Sequence, residues 1–143
     1  MRLDDDQARG RLAVHDHGVL ATVHPGRGVD AVPCVYALAG EVVGVPIDRV
    51  KPKTSTRLQR ERNLEHDPRA SLLIDRWHRS DWSRLWWVRA ELRWVPDPDA
   101  SLVESLSTKL ALKYDQYADR PFAGVLCFDV VGLAGWAASE LEE

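Results

Sequence analysis

The sequence predicts a mainly β fold of the α+β class, a six-stranded antiparallel barrel with about three helices on its outside. Six segments have the length and the apolar pattern of strands, and most of them can pair with a sequence neighbour. Three other segments carry helical periodicity or helix-start residues. With 143 residues, no linker and no internal repeat, the chain is expected to form one domain over 1–143.

The first half of the chain is predicted to form one helix and a meander of three strands. Aspartates at the start of the helix favour capping and complement the helix dipole. Turn residues at 24–28 and 39–40 separate the strands. Pro33 cannot donate to a strand ladder, so it marks a sheet edge, a bulge or a break that faces a ligand. The helix is expected at 4–16 and the strands at 19–24, 29–38 and 41–47.

The second half is predicted to alternate helices with strands. Its first helix ends before Pro68, because a proline disfavours helical backbone in the residue before it. Asp97 and Pro98 have the residue types of an N-cap and a first helical position. Gly132 is predicted to start a C-terminal tail. The first helix is expected at 55–66, the strands at 70–77, 85–95 and 122–131, and the last helix after 97.

The clearest functional signal is the stretch 45–63, VPIDRVKPKTSTRLQRERN, which changes from a strand through a proline-containing turn into a helix. Between positions 49 and 62 it has a net charge of +5, in a chain of net charge −3. Helix starts favour anions, and lysine and arginine suit phosphate, so the stretch predicts a phosphate site. The alternative is a solvated helix with surface ion pairs. The basic residues are Arg49, Lys51, Lys53, Arg57, Arg60 and Arg62.

The composition of the chain excludes several classes of function. Its mild acidity argues against nucleic-acid binding, which needs an extended basic surface. No window approaches the ~18 apolar residues of a membrane span, and the acidic N-terminus lacks the apolar core of a secretory signal. Cys34 and Cys127 lie in apolar strand-like segments, as free buried thiols do in a reducing cytosol. A cytoplasmic location is therefore predicted.

The sequence carries no recognisable catalytic or metal-binding motif. Its five histidines have no cysteine or aspartate partners at zinc-ligand spacing. It has no Gly-x-Ser-x-Gly motif and no Walker or dinucleotide-type glycine pattern. A phosphate-binding turn without an acid, a base or a nucleophile indicates a cofactor that brings its own reactivity. We therefore predict no catalytic residue and no metal ligand.

Tryptophan is unusually frequent, with six in the chain and four between positions 77 and 87. Trp86 and Trp94 lie on the apolar face of a predicted strand, and a core or interface position is expected for both. Trp77 and Trp82 flank a polar loop beside arginines. This pattern is equally compatible with contact to a flat ring and with a place in a core or a subunit interface.

The order of these segments resembles a known family. A strand meander is followed by VPIDRVKPKTSTRLQRERNLEHDPRASLLIDRW, by DWSRLWWVRAELRWV, and then by a helix and a last strand. The chain resembles, over nearly its whole length, the pyridoxamine 5'-phosphate oxidase-like split barrels. The motifs K-x-K-T, L-x-R-x-R-N and D-P-R-x-S-L-L-I-D resemble the branch that binds the deazaflavin coenzyme F-420. The resemblance implies a homodimer with two interface cofactor sites, and hydride transfer between the cofactor and a small organic acceptor.

The resemblance also implies which residues hold the cofactor. Residues at the strand-to-helix turn would bind its phosphodiester, namely Lys51, Lys53, Thr54 and Arg57. Residues on two strands would run along its tricyclic ring, largely through backbone contacts, namely Val32, Pro33, Cys34, Val35, Val45, Pro46 and Ile47. Helix residues would have a supporting role, namely Arg60 and Asn63. Residues near the interface would reach the partner's cofactor, namely Trp77, Trp82, Ser83 and Arg84.

Two alternatives stay open at this point. One is a flavoprotein that binds FMN in the same groove, and the other is a non-enzymatic carrier of the cofactor. A pyridoxal-forming reaction is not expected. The pyridoxamine phosphate oxidases proper hold the substrate phosphate with a C-terminal Arg-x-His-type motif, whereas no arginine or histidine follows Arg120 here.

Overall fold

The computed structural model describes residues 1–48, 58–120 and 122–139, and these residues have the predicted mainly β architecture. Within them, one antiparallel sheet of seven strands packs against three α-helices. The helices are α1 (Asp5–Val14), α2 (Gln59–His66) and α3 (Ala100–Lys113). The strands are β1 (Gly18–His24), β2 (Gly28–Cys34), β3 (Ala37–Ala39), β4 (Val42–Asp48), β5 (Arg69–Arg76), β6 (Trp86–Val95) and β7 (Phe122–Ala137).

The expected number of six strands is wrong, because the predicted strand at 29–38 is two strands. The order in the sheet is β2-β1-β5-β6-β7-β4-β3, so β2 and β3 lie at opposite ends of an open sheet. β2 pairs with β1, whereas β3 pairs with β4. Pro33 therefore lies on an edge strand, one of the three environments predicted for it.

The break between β2 and β3 occurs at Tyr36. Its backbone groups form hydrogen bonds with side chains instead of with a neighbouring strand. The backbone N–H of Tyr36 donates to the Tyr114 hydroxyl at 3.3 Å. Its carbonyl accepts from Lys113 Nζ and from the Tyr114 hydroxyl, each at 3.0 Å. Because buried backbone groups need partners, these contacts with the end of α3 allow the chain to leave one ladder and join another.

The predicted C-terminal tail is also wrong, since β7 continues through it to Ala137. The glycines of this segment are typical of a loop in the sequence, but in the structure they allow neighbouring segments to pack closely against the sheet. A Cβ on Gly135 would lie 2.9 Å from Leu3 Cδ1 and 3.1 Å from the Trp87 carbonyl oxygen. The N-terminal segment can therefore lie against β7, and the Leu3 N–H donates to the Gly135 carbonyl at 3.0 Å.

Helix starts agree with the sequence only in part. Asp4 forms a capping box with Gln7 at the start of α1, as the acidic cluster predicts. The N-cap of α3 is Asp99, two residues after the predicted Asp97. The predicted start of α2 at 55 is wrong, because α2 begins at Gln59 and the residue before it, Leu58, has extended backbone.

The core lies between the inner face of the sheet and helices α1 and α2. Several of its members are fully buried, and each such leucine contributes roughly 1.5–3 kcal/mol to the stability of the fold. They include Leu12, Leu20, Leu64, Leu72, Val88 and Phe128. Helix α3 packs with Leu106 and Leu110 on a second cluster that contains Ala37 and Cys127. The longest described helix, α3, has 14 residues, too few for the ~20 that a transmembrane helix needs.

Candidate functional site

The sheet leaves two strand edges facing one groove, which we call the Cys34 groove. β4 pairs with β3 only as far as Gly44, so no strand of the described residues pairs with the rest of β4 on that side. β2 is the end strand of the sheet and has a free edge of its own. The groove between them has a volume of about 370 Å³. It is lined by His17, Pro33, Cys34, Val35, Pro46, Asp48, Arg60 and Tyr117.

Five residues of the predicted cofactor site line the Cys34 groove together. Pro33, Cys34 and Val35 come from the end of β2 and the residue after it, and Pro46 comes from β4. Arg60 reaches the groove from the first turn of α2. The strand residues therefore give the groove apolar surface, and Arg60 adds one guanidinium group to it.

Arg60 is held in the groove by a single described hydrogen bond. Its Nη2 donates to the Pro46 carbonyl oxygen at 3.1 Å. Its Nε is buried and has no acceptor among the described residues. Such an unpaired donor costs roughly 1–3 kcal/mol, so an oxygen on a bound ligand would fit this position.

Cys34 forms part of the groove as a neutral thiol. It is 9% exposed, and no disulfide involves it. Burial raises the pKa of the Cys34 thiol to about 11, while the positive charge of Arg60 acts in the opposite direction. Because the thiolate is the nucleophilic form, Cys34 is unsuited to covalent catalysis at neutral pH.

Three residues of the groove were not predicted from the sequence, namely His17, Asp48 and Tyr117. The Tyr117 hydroxyl donates to Asp48 Oδ1 at 2.7 Å. Burial and this hydrogen bond both raise the pKa of Tyr117. The contact joins residues 69 positions apart in the chain, so no local spacing could indicate it. Only the position of Asp48 at the end of a predicted strand, just before the basic stretch, was a usable signal.

Asn63 is an internal anchor rather than a groove residue. It is fully buried, and its Nδ2 donates to Thr22 Oγ1 and to Asp30 Oδ2, both at 2.9 Å. Gln59 Nε2 in turn donates to Asn63 Oδ1 at 2.9 Å. The bond from Asn63, followed by bonds from Arg27, lowers the pKa of Asp30. This network fixes α2, and with it Arg60, on the β1–β2 hairpin.

Three predicted ring-contacting residues do not line the Cys34 groove. Val45 is buried in the main core, and Ile47 is packed against it. The side chain of Val32 is 39% exposed outside the groove. The four predicted phosphate-binding residues, Lys51, Lys53, Thr54 and Arg57, lie outside the described residues, so their role stays a prediction.

A second groove, the Trp77 groove, is lined by residues of β5 and β6 and of the segment between them. Trp77 and Trp82 are 60% and 64% exposed, and their ring centroids are 5.5 Å apart. Ser83 and Arg84 are exposed in the same short turn, where Asp81 accepts from the Ser83 N–H and hydroxyl. The groove has a volume of about 390 Å³. It is lined by Leu73, Asp75, Trp77, Leu85, Trp86, Trp87 and Arg89.

The two grooves are separate within one chain. None of Trp77, Trp82, Ser83 and Arg84 lines the Cys34 groove, so their predicted contact with a partner's cofactor stays a prediction. Trp86 is buried and Trp94 packs against the main core, as predicted. Among the described residues, no three potential metal ligands come together.

Comparison with solved structures identifies the fold. The chain is similar to a FAD-binding protein from Mesorhizobium loti, with 17% identity, a TM-score of 0.68 and coverage of 94% of this chain and 93% of that chain. It is similar to a conserved hypothetical protein from Mycobacterium tuberculosis, with 16% identity, a TM-score of 0.71 and coverage of 95% and 86%. It is also similar to the heme storage protein HutZ from Vibrio cholerae, with 16% identity, a TM-score of 0.65 and coverage of 93% and 94%.

Two further matched structures, from Corynebacterium glutamicum and Listeria innocua, carry the name "putative pyridoxamine 5'-phosphate oxidase". Neither the comparison with protein-family models nor the comparison with curated proteins finds a match. At identities of 11–19%, these structures share their fold with this chain. Proteins of this fold bind ligands as different as FAD and heme, so the fold alone does not select the cofactor.

Proposed function

We propose that this protein binds the deazaflavin coenzyme F-420 and transfers hydride between it and an organic acceptor. The observation that carries the proposal is the Cys34 groove. Two strand edges without a partner strand among the described residues suit a flat ring, as do the apolar surfaces of Pro33, Val35 and Pro46. The Arg60 Nε–H, which has no acceptor among the same residues, suits a ring that carries oxygen acceptors on one edge. The proposed homodimer has two such sites.

The residues of the groove bind and orient the ring, and the cofactor supplies the hydride chemistry. Pro33, Val35 and Pro46 provide apolar walls that exclude water from the ring. Arg60 offers a donor to a ring oxygen. Lys51 and Lys53, in the basic stretch between β4 and α2, would bind the phosphodiester.

The second copy of the chain is proposed to cover the Trp77 groove. Both indoles at its rim are exposed, although burying a tryptophan is strongly favourable. Within one chain these indoles lie outside the Cys34 groove. A second copy would bring Trp77, Trp82, Ser83 and Arg84 towards the cofactor of its partner.

Two other functions have specific support. An FMN-dependent flavoprotein is supported by the structural similarity to a FAD-binding protein. A non-enzymatic carrier is supported by the similarity to a heme storage protein. Both functions use the same fold, and both are compatible with the absence of a predicted catalytic residue.

Titration with each ligand separates these possibilities. Purified protein is titrated with coenzyme F-420, FMN and hemin, while tryptophan fluorescence and the absorption spectrum of the ligand are recorded. We expect quenching that saturates in the micromolar range for coenzyme F-420 and weaker binding of the other two. No binding of coenzyme F-420 at tens of micromolar would refute the proposal. Tighter binding of FMN or hemin would select the flavoprotein or the carrier.

A test of turnover then addresses the enzymatic part of the proposal. The reduced coenzyme is mixed with the protein and a panel of quinones, unsaturated lactones, tetrapyrroles and nitroaromatics. Oxidation of the coenzyme that requires both the protein and an acceptor is the expected result. Binding without turnover across the panel would identify the carrier instead.

A further inference from the structure

Part of the outer face of the sheet has no helix packed on it within the described residues. The inner face packs against α1 and α2, and α3 covers the outer face over β3, β4 and the first part of β7, where Leu106 packs with Ala37 and Cys127. The outer surface of β2, β1, β5 and β6, which we call the bare face, is exposed instead. A sheet face with apolar side chains is stabilised when another layer covers it. The exposed apolar residues of the bare face include Val19, Val29, Ala31, Pro33 and Leu73.

A single row of neighbouring side chains crosses the bare face from one groove to the other. Pro33 of β2 lies opposite Val19 of β1. Val19 lies opposite Leu73 of β5, and Leu73 lies opposite Arg89 of β6. Because directly opposed residues point to the same side of a sheet, all four side chains lie on the bare face. Pro33 lines the Cys34 groove, and Leu73 and Arg89 line the Trp77 groove, so a partner that covers the row borders both grooves.

Two charged side chains beside the row form an ion pair within the chain. Arg89 Nε donates to Glu91 Oε2 at 2.7 Å, and Glu91 Oε1 accepts from the Ser71 hydroxyl at 3.1 Å. Breaking a buried ion pair is costly, because it leaves one charge without a partner. Here an apolar surface can cover both charges while they stay together, so the bare face suits an uncharged surface.

The two halves of the bare face also complement each other in size. Ala21 and Ala31 lie opposite each other on β1 and β2, so this half is low. Trp87 and Trp136 lie opposite each other on β6 and β7, and the exposed indole of Trp77 follows β5. A two-fold axis through the middle of the row would place the bulky half of one copy on the low half of the other. A second copy of the chain therefore fits the bare face in both size and charge.

We propose that a second copy of the chain packs on the bare face, with the two-fold axis of the dimer beside Val19 and Leu73. This inference rests on the proposed homodimer and gives its interface a location. In this arrangement the tryptophans of one copy lie over β1 and β2 of the other copy. They then lie beside Pro33, at the border of the Cys34 groove, so that each groove is completed by the other copy.

The test uses the fact that residues beside a two-fold axis meet their own copies. Leu73→Glu and Leu73→Lys are prepared, and sedimentation equilibrium without cofactor measures the dimerisation of each variant alone and of their equimolar mixture. Val19→Glu and Val19→Lys form a second pair, in case the first pair does not fold. Leu112→Glu is the matched control, since Leu112 is exposed on α3, away from the bare face. Circular dichroism checks the fold of each variant.

We expect the wild type to dimerise at micromolar concentration. Each Leu73 variant alone should raise the dissociation constant of the dimer about 100-fold, because like charges meet across the axis. The mixture should restore most of the dimerisation, since opposite charges then meet, and Leu112→Glu should have no effect.

Two results would overturn the inference while leaving coenzyme binding intact. Leu73 variants that dimerise like the wild type would place the interface elsewhere, and a loss that the mixture does not restore would place the axis away from Leu73. A monomeric wild type would overturn both the inference and the proposed homodimer. A wild type that dimerises as expected but does not bind coenzyme F-420 in the separate titration would overturn the proposed cofactor alone.

Discussion

The Cys34 groove and the Trp77 groove have similar volumes, about 370 and 390 Å³, but they are built differently. In the first, most described polar side chains are held by the chain itself, as in the Asp48–Tyr117 pair and the bond from Arg60 to Pro46. The second is an aromatic surface with the exposed indoles of Trp77 and Trp82 at its rim.

This difference indicates different occupants. A groove with fixed polar groups between apolar walls suits a small ligand, because specificity comes from a few well-placed donors. An exposed aromatic surface suits a protein partner, because tryptophans supply most energy when another surface buries them. Ligand binding should therefore respond to substitutions in the Cys34 groove, and dimerisation should respond to substitutions in the Trp77 groove.

The largest expected effect is that of two substitutions combined in the basic stretch that precedes α2. Lys51→Ala and Lys53→Ala should each weaken the binding of coenzyme F-420 by roughly 1–3 kcal/mol, because each removes a charge-assisted hydrogen bond to phosphate. The double variant should dimerise normally. Fluorescence titration and light scattering check the two statements, and an unchanged affinity in the double variant would place the phosphate elsewhere.

A second prediction concerns the aromatic surface. Replacing Trp77 and Trp82 together by serine should weaken dimerisation by roughly 2–4 kcal/mol, the range of strong interface residues. Leu112→Ser is a matched control, since Leu112 is an apolar residue on α3 that is 82% exposed. Sedimentation equilibrium gives the dissociation constants. A wild-type monomer at micromolar concentration, or equal effects of the variant and the control, would remove the distinction between the two grooves.

A third prediction concerns the anchor that holds α2. Asn63→Ala should lower the free energy of unfolding by about 1–3 kcal/mol, because it removes a buried amide that donates to Thr22 and Asp30. Gln59→Ala should cost less, since the side chain of Gln59 is exposed. Urea denaturation measures both. Equal losses would mean that the network does not hold the helix as described.

The smallest effect is expected from the hydroxyl of Tyr117. Tyr117→Phe removes its bond to Asp48, and an exposed hydrogen bond of this kind contributes about 0.5–1.5 kcal/mol. Because both residues line the Cys34 groove, coenzyme affinity should fall slightly while dimerisation is unchanged. The same titration and light-scattering measurements apply. A change in dimerisation would place Tyr117 at the subunit interface.

Local patterns predicted most elements of the fold but not their irregularities. The aspartates before α1 and the alternation in β5 and β6 are local signals, and the structure agrees with both. The break at Tyr36 depends on Tyr114 and Lys113, about 78 positions later, so no local pattern contains it. The sequence does not show that the tail is a strand, because its glycines are typical of a loop. In the structure, Gly135 lies in the strand and is needed for the close contact with Leu3.

In the candidate site, too, the strands were predictable from the sequence, whereas contacts between distant residues were not. Pro33, Cys34, Val35 and Pro46 were grouped through the family resemblance, and the structure brings them onto one groove with Arg60. The pair of Asp48 and Tyr117 was missed, because it forms only when the loop after α3 folds back towards β4. Sequence therefore indicated the strands that build the groove, whereas the polar contacts across it required the tertiary structure.

The most direct measurement is a crystal structure of the protein with coenzyme F-420. We expect a dimer in which the ring lies in the Cys34 groove, between Pro33–Val35 and Pro46. Arg60 Nε would donate to a ring oxygen, and the phosphodiester would contact Lys51 and Lys53. A ring bound outside this groove, with Lys51 and Lys53 far from the phosphate, would show that the Cys34 groove is not the cofactor site.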